Sequence, residues 1–171
     1  YSPIRFIGVE GETSLPRKDQ TPKMKYLAYG SSITHGASAL RPTGSYAMRT
    51  AERLGVDLIN LGFGGGAHCE SQIADYIAER EDWDFASLEL GINVVGSMST
   101  EEFKKRVEYL VERIVKAHPD KWVFAMDLFT FAADYDPASK KQNEFRQVVK
   151  NTVKKLDMPK LIHVDGRKML K

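Results

Sequence analysis

Apolar residues along the chain follow two alternating patterns, short continuous runs and longer stretches with helical spacing. The short runs predict β-strands over residues 25–29, 56–61, 85–90, 121–126 and 161–164. Amphipathic helices are predicted over residues 43–54, 69–80 and 137–156, and from Ser99 to the break at Pro119. Because parallel strands need crossover connections, this alternation predicts a flavodoxin-like three-layer α/β/α sandwich. Its parallel sheet has five strands in the order 2-1-3-4-5.

Residues at the helix ends and before the first strand refine this organisation. Thr43 is the predicted N-cap of the first helix and Gly55 its stop, and Ser99 with Glu102 has the spacing of a capping box. A strand-like run, Ile4-Arg5-Phe6-Ile7, precedes a polar, proline-containing stretch. We therefore interpret residues 1–24 as a linker or edge segment joined to an upstream domain, and residues 25–171 as the α/β domain.

Composition narrows the classes of partner. The 171 residues are 42% hydrophobic and 28% charged, which is ordinary for one globular domain. With a net charge of +2 and basic residues interspersed with acids, we expect neither nucleic acid nor an anionic membrane as partner. No apolar run approaches the ~20 residues of a membrane span. The single cysteine, Cys69, excludes an internal disulfide.

Turns rich in small residues follow the first three predicted strands. These turns are Gly30-Ser31-Ser32-Ile33-Thr34-His35-Gly36, Asn60-Leu61-Gly62-Phe63-Gly64-Gly65-Gly66 and Gly91-Ile92-Asn93. In the order 2-1-3-4-5 these three strands are neighbours, and the switch point lies between strands 1 and 3. The topology therefore predicts that the three turns converge on one site.

Ser32 is the candidate nucleophile of that site, and a serine hydroxyl needs a base within hydrogen-bond reach. The alternative is that Ser31 and Ser32 only cap the turn. Thr34 replaces the last glycine of a Gly-x-Ser-x-Gly elbow, and the Gly-Lys-Ser/Thr element of a phosphate loop is absent. Asn93 and the backbone amides of Ser32 and Gly65 are candidate donors to an oxyanion, although Asn93 also suits a structural turn.

Four histidines occur in the chain, and two of them, His35 and His68, lie in the candidate site loops. We predict that these two contact substrate. A structural role is predicted for His118 beside the dipole of a helix end, and a core or edge position for His163 in the last strand.

Metal and nucleotide cofactors are not predicted. The neighbours of His68 lack a convincing metal-ligand spacing. Residues 62–67 fit a loose Gly-x-Gly-x-x-Ala dinucleotide fingerprint but follow the second strand instead of the first.

Taken together, the three turns resemble the SGNH (GDSL-type) hydrolase family of esterases, acyl hydrolases and acetylesterases, over residues 25–171. Gly30-Ser31-Ser32-Ile33-Thr34 matches the Gly-Asp-Ser-Ile-Thr block of that family. The second turn matches the block that ends in the oxyanion glycine, and Gly91-Ile92-Asn93 matches the Gly-x-Asn block. The resemblance implies Ser32 as nucleophile, Gly65 and Asn93 as the oxyanion hole, no cofactor, and a small-molecule or carbohydrate ester as substrate. Trp83-Asp84-Phe85 resembles a bacterial branch often joined to an upstream β-domain.

Two departures from the family pattern change the expectation. Ser31 replaces the aspartate of the first block, from which we expect little damage to catalysis. The final Asp-x-x-His block, which supplies the triad acid and base, is absent, because no acid lies three residues before any histidine. We interpret the chain as ending before that block. The expectation is weak or no esterase activity, and an apolar sheet face that stays exposed or forms a homodimer. The alternative is a non-catalytic carbohydrate- or ester-binding domain that has lost its base.

Overall fold

A five-stranded parallel sheet forms the centre of the computed structural model, which describes residues 5–169. The strands are β1 (Lys25–Gly30), β2 (Asp57–Gly62), β3 (Phe85–Glu89), β4 (Trp122–Met126) and β5 (Leu161–Val164). Their order in the sheet is β2-β1-β3-β4-β5, and each neighbouring pair is parallel. The predicted architecture and strand order are confirmed.

Helices connect the strands. They are α1 (Ser32–His35), α2 (Tyr46–Leu54), α3 (Ser71–Glu79), α4 (Thr100–Ala117) and α5 (Lys141–Leu156). The turn after β1 is thus a one-turn helix, which the sequence pattern did not predict. Ser99 caps α4 as predicted, because its hydroxyl accepts a 3.1 Å hydrogen bond from the Glu102 amide.

The start of α2 differs from the prediction. Thr43 lies inside a short 3₁₀ turn (Pro42–Gly44), and the N-cap is Ser45, whose hydroxyl accepts a 3.2 Å hydrogen bond from the Met48 amide. Ser45 takes this role because its extended backbone turns the side chain towards the first free amides of the helix. Gly55 ends the helix as predicted.

Two apolar layers cover the faces of the sheet. Helices α3, α4 and α5 enclose the larger core with Leu27, Leu88 and Val123, and the rings of Phe103 and Phe145 stack there with centroids 4.0 Å apart. On the opposite face, α2 packs through small residues against β1 and its neighbours; this cluster comprises Tyr26, Ala28, Ala47 and Ala51. The predicted three-layer arrangement is therefore present at the β1 end of the sheet.

On the face of the sheet that α2 covers near β1, strands β4 and β5 carry exposed apolar side chains. Trp122 is 44% exposed and Ile162 38% exposed, and the Trp122 ring stacks on Phe124 with centroids 6.4 Å apart. A concavity of about 360 Å³ lies beside Trp122 and Phe85. We call the surface formed by Phe85, Trp122, Phe124 and Ile162 the bare sheet face. Apolar side chains are thus exposed on this face, and a homodimer through it stays a prediction.

Residues 5–24 contain neither helix nor strand. The predicted strand over residues 4–7 is wrong for residues 5–7, because Phe6 and Ile7 are 80% and 93% exposed and have no neighbouring strand to pair with; Ile4 lies outside the described residues. The division at residue 24 stays a prediction. Among residues 5–169, the helices are all too short or too polar to cross a membrane.

Candidate active site

A buried carboxylate holds the turn that carries Ser32. Glu89 ends β3 and is 2% exposed. One of its oxygens, Oε2, accepts hydrogen bonds from the Ser31 amide (2.7 Å), the Ser31 hydroxyl (2.7 Å) and the Thr34 hydroxyl (3.0 Å). Ser31 in turn caps α1 by accepting a 3.1 Å hydrogen bond from the Ile33 amide. Ser32 is therefore the first residue of a helical turn that is attached to the central strand.

The same hydrogen-bond chain reaches α2. The hydroxyls of Thr34 and Tyr46 are 2.8 Å apart. Because the Thr34 proton points to Glu89, Tyr46 is the donor of this bond. Burial raises the pKa of Tyr46, which keeps its phenol protonated and able to donate. The Ser32 turn is thus fixed from both β3 and α2.

Two glycines allow α1 to lie directly on the strand ends. A Cβ at Gly30 would overlap the Thr34 hydroxyl and come within 2.6 Å of Glu89 Oε2. A Cβ at Gly62 would overlap the backbone of His35. These positions accept only glycine, because the obstructing atoms include backbone and a buried carboxylate that cannot move away.

The loop after β2 is hydrogen-bonded to the loops on either side of it. The Phe63 amide donates a 2.8 Å hydrogen bond to the carbonyl of Gly30, two residues before Ser32. From β3's side, the Asn93 side-chain amide donates to the carbonyl of Phe63 (3.2 Å) and to that of Gly66. Gly65, between these two carbonyls, is exposed and has a φ of +74°, which suits glycine. The three sequence-predicted turns therefore form one connected unit.

Both protons of the Asn93 amide are directed at loop carbonyls. An amide nitrogen has two protons, and Phe63 and Gly66 supply two acceptors. For Asn93 to donate to an oxyanion, one of these hydrogen bonds must be exchanged for the new acceptor. In this arrangement the amide positions the Gly65 loop.

His35 and His68 contact the same loop through their ring nitrogens. His35 Nδ1 lies 2.9 Å from the Gly62 carbonyl, and His68 Nε2 lies 2.9 Å from the Gly65 carbonyl. Since a carbonyl only accepts, each of these nitrogens carries the proton. His68 Nδ1 also lies 3.8 Å from a carboxylate oxygen of Glu70. Both histidines are in the predicted site loops; their contact with substrate stays a prediction.

His118 has a structural role, but not as the cation that suits a helix end. Its Nε2 donates a 3.0 Å hydrogen bond to the Ala78 carbonyl, and its ring packs edge-on against Trp83 with centroids 4.8 Å apart. Burial first, and then the charge of Lys121, lowers the pKa of His118. Both effects favour the neutral ring.

His163 forms a pair with a carboxylate that the sequence reasoning missed. Its Nε2 lies 2.7 Å from Asp127 Oδ2, and Asp127 Oδ1 accepts a 2.8 Å hydrogen bond from the Gly166 amide. The pair fixes the turn after β5. Because β5 is three strands away from β1 and strands lie ~4.8 Å apart, His163 is about 14 Å from the strand that leads to Ser32. No group of three or more potential metal ligands occurs within residues 5–169.

An arginine beneath the loop after β4 holds that loop against the site. Arg146 is 3% exposed and binds both carboxylate oxygens of Asp134, at 2.5 and 2.7 Å, and the carbonyls of Leu128 and Phe129, each at 3.1 Å. Arg146 holds the pKa of Asp134 below its usual value. The Phe129 ring meets the edge of Tyr46, with centroids 6.0 Å apart. The loop after β4 thus supports the Tyr46 phenol, which donates a hydrogen bond to Thr34.

A family model described as the GDSL-like lipase/acylhydrolase family matches residues 23–166. No curated protein sequence matches the chain significantly.

Solved structures share the fold. A salicylyl-acyltransferase from a tetracycline biosynthetic pathway is 24% identical over 87% of this chain and 44% of its own, with a TM-score of 0.76. A protein from Bacteroides ovatus described as a GDSL-like lipase is 24% identical over 88% of this chain and 45% of its own, with a TM-score of 0.75. A family two carbohydrate esterase from Clostridium thermocellum, in complex with cellohexaose, is 15% identical over 90% and 56%, with a TM-score of 0.67. The chain spans less than half the length of the first two.

Proposed function

Because this chain belongs to the GDSL-like lipase/acylhydrolase family, we propose that it is a serine ester hydrolase in which Ser32 attacks the ester carbonyl. The observation that carries the proposal is the hydrogen-bonded unit of three loops. Buried Glu89 holds the Ser32 turn, and Asn93 holds the Gly65 loop beside it. Fixed positions for a nucleophile and for oxyanion donors are what acyl transfer requires.

In the proposed reaction, Ser32 Oγ bonds to the carbonyl carbon while its proton passes to a general base. The carbonyl oxygen becomes an oxyanion that accepts from the Gly65 amide and from Asn93, which releases one loop carbonyl. The C–O bond to the alcohol then breaks, and the alkoxide takes the proton from the base. Water hydrolyses the acyl-serine by the reverse sequence. Each oxyanion donor contributes roughly 3 kcal/mol to such a transition state.

The base is proposed to be a histidine of an Asp-x-x-His segment beyond Lys171. Supporting this, none of the four histidines has the Asp-x-x-His spacing, and His163, which pairs with Asp127, lies three strands away from β1. The proposed substrate is a small-molecule or carbohydrate ester. A carbohydrate esterase and an acyltransferase among the structural neighbours support this range of substrates.

The second candidate is a carbohydrate- or ester-binding domain without catalytic activity. Two observations favour it: no acid lies three residues before any histidine of the sequence, and the His163–Asp127 pair lies three strands away from β1 and Ser32. In this role the three loops would bind the ester without cleaving it.

Hydrolysis of nitrophenyl acetate distinguishes the two candidates. We compare the 171-residue chain with one extended by about 40 residues that follow Lys171 in the parent gene, each with and without Ser32→Ala. The enzyme proposal expects turnover only in the extended chain and its loss on Ser32→Ala, since removing a triad member costs on the order of 10⁴ in rate.

Two other outcomes would change the assignment. If the extended chain binds esters without Ser32-dependent turnover, the binding-domain candidate is correct. If the 171-residue chain itself turns over and Ser32→Ala abolishes this, the base lies within it, and His35→Gln and His68→Gln identify which ring acts.

A further inference from the structure

An apolar cavity lies against the loop that carries Gly65. It has a volume of about 400 Å³, and its walls come from the β2–α3 loop and the start of α3: Phe63, Gly66, Ala67, Glu70, Gln72 and Ile73. This volume is in the range of cavities that take small organic molecules. Two of its walls, Phe63 and Gly66, are the residues whose carbonyls accept from Asn93. The cavity is therefore part of the same unit as the proposed oxyanion loop.

Both polar side chains of this cavity, Glu70 and Gln72, accept a hydrogen bond from the protein. One carboxylate oxygen of Glu70 accepts from the His68 amide at 3.1 Å, and the other lies 3.8 Å from the His68 ring. The Gln72 carbonyl oxygen accepts a 3.3 Å hydrogen bond from the Ser71 hydroxyl. What faces the space is mainly hydrocarbon from Phe63, Ala67 and Ile73. A sugar ring placed there would lose its hydration and gain few hydrogen bonds, which is unfavourable.

We propose that this cavity binds an apolar group of the ester substrate, a hydrocarbon chain or aromatic ring, in preference to a sugar. The inference rests on the proposed function, because Gly66, a wall of the cavity, directly follows Gly65, the proposed oxyanion donor. Both the acyl group and the alcohol are attached to the ester carbonyl carbon, so either can supply the apolar group. Phe63, one of the walls of the cavity, is 41% exposed.

Methyl NMR of the 171-residue chain tests the inference without requiring turnover. The probes are methyl benzoate, with an apolar acyl group, benzyl acetate, with an apolar alcohol, and a glucoside acetate. Shifts of the Ala67 and Ile73 methyl resonances report occupancy of the cavity. We expect saturable shifts with at least one aromatic ester, and binding about tenfold weaker for the sugar acetate, the effect of ~1.4 kcal/mol. The two aromatic probes show which side of the ester enters.

Variants on α3 locate the binding. Ile73→Trp fills the cavity and should weaken the aromatic ester about tenfold, read from the Ala67 methyl. Glu79→Trp introduces the same bulk on the exposed end of the same helix and should change nothing. If Ile73→Trp does not fold, Ile73→Ala enlarges the cavity and should shift preference towards a naphthyl ester.

Equal affinity for the sugar acetate, or aromatic binding unaffected by both Ile73 variants, would overturn the inference. The methyl readout is taken on the 171-residue chain and needs no turnover. A failure of the esterase proposal, seen as no Ser32-dependent turnover in the extended chain, therefore differs from a failure of this one.

Discussion

Removal of the Glu89 charge should loosen the Ser32 turn, although Glu89 and this turn are far apart in the sequence. Glu89 Oε2 accepts three hydrogen bonds, two from Ser31 and one from Thr34, in a site that is 2% exposed. Glu89→Gln keeps the shape of the side chain and removes the charge. Glu89→Ala removes the acceptor, so that the Ser31 amide, which cannot rotate, loses its partner.

The expected cost follows from these contacts. Hydrogen bonds to a charged acceptor are roughly twice as strong as neutral ones, so Glu89→Gln weakens three bonds by about 1 kcal/mol each. A smaller desolvation cost for the neutral amide offsets part of this, which leaves a net loss of about 1–2 kcal/mol. For Glu89→Ala we expect about 3–4 kcal/mol, because buried donors without acceptors cost about 1–3 kcal/mol each. The total free energy of unfolding of a typical domain is only ~5–15 kcal/mol.

Urea unfolding at neutral pH measures the free energy, and hydrogen exchange of the Ser31 amide reports the turn itself. Glu52→Gln, on the exposed surface of α2, is the matched control and should change stability by less than about 0.5 kcal/mol. If Glu89→Gln behaves like this control and the Ser31 amide keeps its protection, then Glu89 does not hold the turn and the reasoning is refuted.

Three further predictions follow from burial and charge. Cys69 is 1% exposed, and burial raises the pKa of its thiol to about 12. A disulfide reagent should therefore label Cys69 only after unfolding, and rapid labelling of the folded chain would contradict this. Because Arg146 lowers the pKa of Asp134, their pairing stabilises the fold above the usual aspartate pKa of about 3.9, and this is lost as the pH falls through the lowered value. Asp134→Asn should therefore reduce stability at neutral pH and flatten its decline in acid, measured as urea midpoints against pH; an unchanged acid limb would refute the assignment. Extension by about 40 residues beyond Lys171 should raise the melting temperature, bury Trp122 and remove any concentration-dependent dimer. The reason is that each newly buried apolar side chain contributes roughly 1.5–3 kcal/mol to stability. Unchanged sedimentation and unchanged tryptophan fluorescence would count against coverage of the bare sheet face.

The order of the sheet could be predicted because it depends on patterns that are local in sequence. Each strand is a short apolar run, and right-handed crossovers leave few ways to arrange five of them. The start of α5 was predicted four residues too early, at 137 instead of Lys141. Long-range contacts explain this, because Arg146 holds Asp134 and the Gln142 amide donates to the Ala133 carbonyl, which keeps the preceding segment in a loop.

Two buried carboxylates that escaped prediction, Glu89 in the site and Asp127 outside it, have partners that are distant in sequence. Glu89 binds Ser31 from 58 residues away, and Asp127 binds His163 from 36 residues away. Periodicity reports which face a residue occupies, but not which polar group meets it there. One signal was present: Glu89 interrupts the apolar run Leu88-Glu89-Leu90, and a charge in a central strand must find hydrogen-bond partners. The catalytic roles of Ser32, Gly65 and Asn93 stay predictions.

The hydrogen bonds between the three loops also bear on how such proteins can be redesigned. Phe63 binds Gly30 through its amide and Asn93 through its carbonyl, so the middle loop depends on both of the other loops for these hydrogen bonds. A single loop transplanted from a relative would bring acceptors without donors, or donors without acceptors. Recombination between family members should therefore succeed when the segments from Gly30 to Asn93 are exchanged as one block, and fail when they are exchanged piecemeal.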